Sequence, residues 1–323
     1  MILSTMRFAS LPSLRTLLAG ALLAGFGHSA IAATPLPPAC GKAPSGNISA
    51  QRIAAVTPSR SEPGLYEGPV WIKDALYFSD FSFSEGFPSR VRKLAADGKV
   101  TTAIEDAGGN GLAVDAGGKM IAATHKYKAL SRYDLASGKR TPVAERYQGE
   151  VFNSPNDIAI AKDGTIYFTD PDFQKAAAPG GQPVTGIYRV AVDGKVTLVD
   201  GSRHNPNGLV LSLDGSTLYV VARDGAISGY DVKASMPQKG RPLVTGIETG
   251  DGMTLDCHGN LYATEHGAKR VRVFSPQGRE LATIRVDANV TNVAFGGKDG
   301  KTLYVTGAGA VWQTRLDVSG LPY

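Results

Sequence analysis

One pattern recurs six times along this chain and limits its architecture more than any other feature. A polar residue leads an apolar run, a tight turn follows, and a second apolar run returns, in most copies centred on Leu-Tyr or Ile-Tyr. It reads EGPVWIKDALYFSD from Glu67, NGLAVDAGGKMIAATH from Asn110 and NDIAIAKDGTIYFTDP from Asn156. It continues as NGLVLSLDGSTLYVVAR from Asn207 and DGMTLDCHGNLYATEH from Asp251. The sixth copy, TNVAFGGKDGKTLYVTG, starts at Thr291 or Asn292, because Gly296-Gly297 adds a residue and leaves its register open. Two short apolar runs around an Asp-Gly or similar turn form a β-hairpin. The starts lie 43, 46, 51, 44 and about 40 residues apart, a period that belongs to propeller blades.

Further strand-like pairs follow the hairpins, such as GIYRVAVDGKVTLV (186–199) and RVRVFSPQGRELATIRV (270–286). Four strands per unit and six units predict an all-β chain folded as a six-bladed β-propeller with four-stranded blades. Two stacked sandwiches would not require a regular period. The ring must close, since a free sheet edge invites aggregation. Residues around Ile48–Val56 precede the first inner strand and are expected to supply the outer strand of the last blade.

The first 32 residues stand apart. Arg7 and Arg15 precede the apolar stretch LLAGALLAGF, which ends in Ala30-Ile31-Ala32. This is the pattern of a secretory signal peptide, with cleavage expected near Ala32. The expected organisation is a signal at 1–32, an N-terminal tail at 33–47 and the propeller at 48–323. The expected location is secreted or periplasmic. No later segment approaches ~20 apolar residues, so no membrane span is expected in the mature chain. The formal charge of +5 becomes +3 once the signal is removed, and Lys and Arg are scattered, which argues against a nucleic-acid partner. Cys40 and Cys257 are the two cysteines. An exported chain allows them to pair, and the sequence leaves pairing and separate thiols both open. A monomer is expected.

In a propeller the first strand of each blade lines the central channel. The repeat therefore gathers Glu67, Asn110, Asn156, Asn207 and Asp251 at one channel mouth, with Thr291 or Asn292 as the sixth. Hard oxygen donors of this kind suit Ca²⁺, Mg²⁺ or Mn²⁺ better than Zn²⁺ or copper. Without a cation, Glu67 and Asp251 would repel each other. Polar strand caps are the plain alternative for any single stub. Each second strand runs back to the same mouth and delivers Asp80, His125, Asp170, Arg223, Glu265 and His266 there. Histidines His125 and His266 are candidate proton carriers or simple loop residues.

At these residues the sequence resembles the gluconolactonase / senescence marker protein (regucalcin) / luciferin-regenerating family. EGPVW, NSPND followed by DGTIYFTDP, NPNGLVLSLDGSTLYV, DGMTLD followed by GNLYAT, and FGGKDGKTLYVT occur in the family's order between Glu67 and Val305. NSPND followed by FTDP is most like the bacterial gluconolactonase branch. The resemblance implies a divalent cation held by Glu67, Asn156, Asn207 and Asp251, with Asp251 also the general base. It implies Ca²⁺ first, with Mg²⁺, Mn²⁺ or Zn²⁺ as alternatives. The animal branch has an Arg two residues before the third-motif Asn, where this chain has Ser154, so that branch's substrate contacts do not transfer.

The expected activity is hydrolysis of an aldonolactone such as gluconolactone, with the cation as Lewis acid and Asp251 as base. Asn110, Asn153, His125, Asp170 and His266 are the candidate contacts to a small-molecule lactone. The alternatives are a non-catalytic, cation-stabilised binding module, or a related hydrolase of aryl esters or phosphotriesters. Gly-x-Ser-x-Gly, His-Glu-x-x-His and Cys-x-x-Cys are all missing from the sequence. The loops Ser82–Pro88 and Gln174–Pro183 are expected to shape the pocket.

Overall fold

A computed structural model describes residues 40–58 and 64–321. The signal-peptide expectation at 1–32 and the tail before residue 40 lie outside the described residues. Six antiparallel sheets follow one another along the chain, each with its strands in sequence order from the axis outward. Blade one contains Gly64–Ile72, Ala75–Ser82, Ser89–Ala95 and Val100–Ile104. Blade two contains Gly109–Val114, Met120–Thr124, Ala129–Tyr133 and Arg140–Ala144. Blade three is built from Ile158–Ile160, Ile166–Asp170, Gly186–Val190 and Val196–Asp200. Blade four has Pro206–Leu211, Thr217–Ala222, Ala226–Lys233 and Arg241–Thr245. Blade five has Gly250–Leu255, Leu261–Glu265, Arg270–Phe274 and Glu280–Arg285. Blade six has Val290–Gly296, Thr302–Gly307 and Val311–Arg315, with its outer strand from elsewhere in the chain.

That outer strand is Gln51–Arg52, antiparallel to Val311–Arg315. The ring therefore closes within the expected segment, but over two residues. Gly46–Ser49 instead adds a parallel fifth strand to blade five, against Glu280–Arg285. Arg52 lies over the Trp312 ring at 5.3 Å and pairs with Asp287 at 3.0 Å, while Trp312 Nε1 donates to the same carboxylate at 2.7 Å. Cys40 and Cys257 form a disulfide that ties the start of this segment to blade five.

The core is distributed, and this follows from the strand pattern. Alternate residues of each strand face opposite sides of its sheet, so every blade presents an apolar face to both neighbours. The buried apolar side chains fall into six clusters, one at each blade–blade junction. The leucine or isoleucine of the repeated Leu/Ile-Tyr pair is buried in Leu76, Ile166, Leu218, Leu261 and Leu303. Each such side chain contributes about 1.5–3 kcal/mol of apolar burial. The repeat is thus written for a ring in which no blade buries its faces alone.

Candidate active site

Five of the six inner strands, all but that of blade three, are bulged where the repeat begins. Register shifts fall between Glu67 and Val70, Gly109 and Leu112, Pro206 and Leu209, Gly250 and Met253, and Val290 and Val293. A bulge bends the strand and re-aims a side chain, and at each of these sites the residue re-aimed is the polar one that leads the repeat. The glycine behind it allows neighbouring blades to approach. A Cβ on Gly68 would sit 2.4 Å from the Asn110 carbonyl oxygen, and one on Gly208 would sit 2.3 Å from that of Asp251. Hydroxyls of the second strands tie the ring backbone together. Ser79 donates to the Asn110 carbonyl at 2.6 Å, Thr169 to that of Asn207 at 2.7 Å, and Thr264 to that of Thr291 at 2.6 Å.

The sixth position belongs to Asn292. Thr291 is a strut whose hydroxyl donates to the Tyr66 carbonyl. The Asn292 amide instead donates to Glu67 Oε2 at 3.0 Å and to Asp157 Oδ2 at 3.4 Å. Asp157 is a channel carboxylate that the sequence reading missed. Its signal was present: in four blades the ring residue is followed by glycine, and in blade three by an aspartate.

Glu67, Asp157 and Asp251 bring three carboxyl groups into one electrostatic neighbourhood. Burial, then Asp251, then Asp157 push the Glu67 carboxyl well above its usual range. Burial is also the main reason Asp157 is raised to about 7, with Asp251 adding to it. Asp251 meets His266, whose Nδ1 lies 3.6 Å from Asp251 Oδ2. That nitrogen donates to the Val290 carbonyl at 2.6 Å, and the neighbouring carboxylate raises the imidazole pKa.

The donor set fits a hard cation. Asn207 is buried, and its Oδ1 has no hydrogen-bond partner among the described residues. A buried amide oxygen left unpaired is costly, and a cation shared with Glu67, Asn156 and Asp251 satisfies it while relieving carboxylate repulsion. No group of three or more His, Cys, Asp and Glu side chains able to hold a metal occurs among the described residues. Any site here therefore mixes two carboxylates with amides.

The remaining residues at this mouth divide into scaffold and open groups. Asp170 is fully buried and accepts from the backbone N–H of Asn153 at 2.8 Å and of Ser154 at 2.7 Å. Burial raises it to about 7. Asn153 is held in turn: Nδ2 donates to the Val184 carbonyl at 2.9 Å, and Oδ1 accepts from Gln182 N at 3.2 Å. Lys128 donates to the carbonyls of Asn153 and Ala178, and burial lowers it to about 8. The Asn153 side chain thus fixes the loop across 174–185, and Asp170 fixes the backbone at 153–154. Asp80 is paired with Arg90 and Arg92, and Glu265 with Arg270 and Arg272. His125 is fully buried, 4.6 Å from the Phe87 ring, and burial followed by Lys128 lowers it to about 3. Phe87 belongs to the loop at 83–88, and Gly86 N of that loop donates to the Ala177 carbonyl at 3.2 Å. The two loops expected to shape the pocket therefore meet above blade two.

Several polar atoms at this end find no partner among the described residues: Asn110 Oδ1, Ser154 Oγ and Gln174 Oε1, besides Asn207 Oδ1; the His125 ring faces the Pro155 carbonyl. On the other side of the ring the axis holds a cavity of about 390 Å³, with Gly68, Asp157 and Asn292 at its inner end. Its walls include Leu112, Ile158 and Leu209, with Asp115, Lys162, Ser212 and Thr254 among the polar residues. The unpaired donors and acceptors lie at the mouth, so the chemistry is assigned there.

Comparison with known proteins agrees with this geometry. Residues 65–309 match the SMP-30/Gluconolactonase/LRE-like region. The gluconolactonase of Zymomonas mobilis is 29% identical over 287 residues, covering 79% of each chain. The solved gluconolactonase of Xanthomonas campestris is 27% identical with a TM-score of 0.72, over 86% of this chain and 100% of that one. A calcium-binding regucalcin structure from Agrobacterium tumefaciens shares the fold, with 23% identity and a TM-score of 0.71 over 86% and 98% of the two chains. A bulged six-blade ring with its polar residues in register and a match across most of the propeller place this chain in the SMP-30/gluconolactonase/LRE-like family.

Proposed function

We propose that this protein hydrolyses a sugar lactone at the mouth ringed by Glu67, Asn110, Asn156, Asn207, Asp251 and Asn292. The observation that carries the reading is the set of buried, unpartnered polar atoms at that mouth. Apolar ligands would leave them unsatisfied, and a polyhydroxylated ring satisfies them. Gluconolactonase activity in the similar proteins of Zymomonas mobilis and Xanthomonas campestris supports the same class.

A divalent cation, Ca²⁺ in this reading, would be held by Glu67, Asn156, Asn207 and Asp251 and would polarise the lactone carbonyl. Asp251 takes a proton from the attacking water. His266 Nδ1 lies 3.6 Å from that carboxylate and interacts with it electrostatically, while its N–H is donated to the Val290 carbonyl. Asn110 supplies a hydrogen-bonding atom to the sugar hydroxyls from blade two, and His125, enclosed beside Phe87, would reach the ligand only if that loop moves. Asn153 and Asp170 position the blade-three approach by holding its backbone and loop.

The reading includes export as a monomer, with the segment at 1–32 as a cleaved signal. The Cys40–Cys257 disulfide supports an oxidising compartment. The test is gluconolactone hydrolysis before and after thorough chelation, with restoration by added Ca²⁺. Full activity after chelation would overturn the cation's part, and no hydrolysis of any sugar lactone by the Ca²⁺-loaded protein would overturn the function.

A further inference from the structure

The polar residues at the ends of the second strands have separate fates. Asp80, Asp170 and Glu265 are buried and spent on internal partners. His125 is enclosed beside Phe87. In blade six the equivalent stretch at Gly307–Ala308 carries no polar side chain. Arg223 brings an exposed, permanently charged side chain to the mouth, at the position that His266 holds in blade five.

Its placement is fixed from three sides. Arg223 directly follows Ala222, which pairs with Pro206 next to Asn207. Its backbone N–H donates to the carbonyls of His204 and Asn205, both at 3.3 Å. Its guanidinium lies 4.9 Å over the ring of Phe173, which comes from the loop after blade three. Its charge is felt at His266 on blade five, so it stands over blade four between two neighbours of the ring. Among the described residues it has no carboxylate partner. A cation held over an aromatic face keeps its N–H donors available to an anion.

In the proposed reading the carboxylates of the ring are taken up by the cation, so the ring has no side chain left to receive an anionic substituent of the ligand. A fixed arginine at the rim, without a carboxylate partner among the described residues, supplies that contact. We propose that Arg223, on its Phe173 platform, selects lactones that carry an anionic substituent, a carboxylate or a phosphate, away from the scissile ester. The proposal rests on the lactonase reading and names the substrate class within it. Arg223 is a specificity residue here and takes no part in bond cleavage.

The experiment compares wild type with Arg223→Gln and Arg223→Lys on three lactones. These are neutral gluconolactone, a glucarolactone bearing a carboxylate, and 6-phosphogluconolactone. The wild type is expected to favour one or both charged lactones, which also distinguishes carboxylate from phosphate recognition. In Arg223→Gln, KM for the favoured lactone is expected to rise about tenfold or more, as loss of a charge-assisted contact implies. Its kcat and the KM for gluconolactone should change by less than about threefold, and Arg223→Lys should recover part of the loss. The preference should also weaken as salt is raised.

Calorimetric binding of galacturonate against galactose supplies a readout that needs no turnover. Tighter binding of the acid by wild type, lost in Arg223→Gln, supports the proposal even if lactone hydrolysis fails. No preference for anions in either assay, or a preference untouched by Arg223→Gln, overturns it while leaving a lactonase of neutral substrates intact.

Discussion

His266 Nδ1 stands 3.6 Å from Asp251 Oδ2, and the same nitrogen donates to the Val290 carbonyl at 2.6 Å. The carboxylate raises the imidazole pKa above that of an ordinary histidine, so the imidazolium persists to higher pH. An NMR titration of His266 should show this raised midpoint, and Asp251→Asn should move it down. The same substitution should remove most turnover while leaving the fold intact. A midpoint that ignores Asp251→Asn would dissolve the pairing. For stability, a raised histidine contributes fully below its unfolded pKa and loses that contribution as pH rises through the folded value. His266→Gln should therefore cost more near pH 5 than near pH 8, and under about 1 kcal/mol, because the pair is partly exposed.

Glu67 and Asp157 behave in the opposite chemical sense and the same linkage sense. Both carboxyls are raised, chiefly by burial. In chelated protein their contribution is complete in acid and lost as pH rises through the raised values, near 7 for Asp157. Cation binding requires the ligands deprotonated. Thermal unfolding with excess chelator or added Ca²⁺, near pH 5 and near pH 8, should show the larger Ca²⁺-induced rise in Tm at the higher pH. An equal rise at both would mean that the cation binds elsewhere.

The residues legible in the sequence were those that the repeat states six times over. Blade number, hairpin order and the ring from Glu67 to Asp251 follow from local patterns of apolar runs and turns. Asp157 was missed because the repeat was read for one polar residue per blade, although an aspartate stands where glycine follows the ring residue in four others. The choice between Thr291 and Asn292 needed the register across Gly296, which only the pairing with Thr302–Gly307 defines. Asn153 and Asp170 are joined in the structure through the Asn153 backbone N–H. Their work in holding loop and backbone depends on partners up to 31 positions away, which no spacing rule supplies. The split of the N-terminal segment between blades five and six is a long-range pairing of the same kind.

Asp170 gives a direct test of that scaffold. Its two oxygens accept from two consecutive backbone N–H groups, those of Asn153 and Ser154. Asparagine keeps the shape but turns one acceptor into a donor facing a donor. Asp170→Asn should destabilise the protein by about 1–3 kcal/mol, the cost of one buried unsatisfied group. Hydrogen exchange should rise across 153–154 and 174–185. Lactone KM should rise through the displaced approach, with a smaller change in kcat. Unchanged exchange would show that the loop is held by Asn153 and Lys128 alone.

Cys40 and Cys257, 217 positions apart, carry the last prediction. The chain-entropy estimate for a loop of that size is about 5 kcal/mol, and measured losses of native disulfides run about 2–5 kcal/mol. The tie lies just before Gly46–Ser49 and Gln51–Arg52, which together bridge blades five and six. Two-residue pairing at Gln51–Arg52 is weak alone, so the disulfide should hold the ring's closing strand at high local concentration. Replacing both cysteines by serine should lower Tm by several degrees or more. It should also raise hydrogen exchange first at 46–52 and along Val311–Arg315. Cys257 lies in the turn after the inner strand Gly250–Leu255, at the end opposite Asp251, and Asn292 lies near the start of the inner strand of blade six. Activity at a temperature well below the new Tm should therefore stay within about twofold of wild type if the latch secures closure and leaves the ring geometry to the inner strands. Loss of activity without loss of stability would instead place the disulfide in control of the ring.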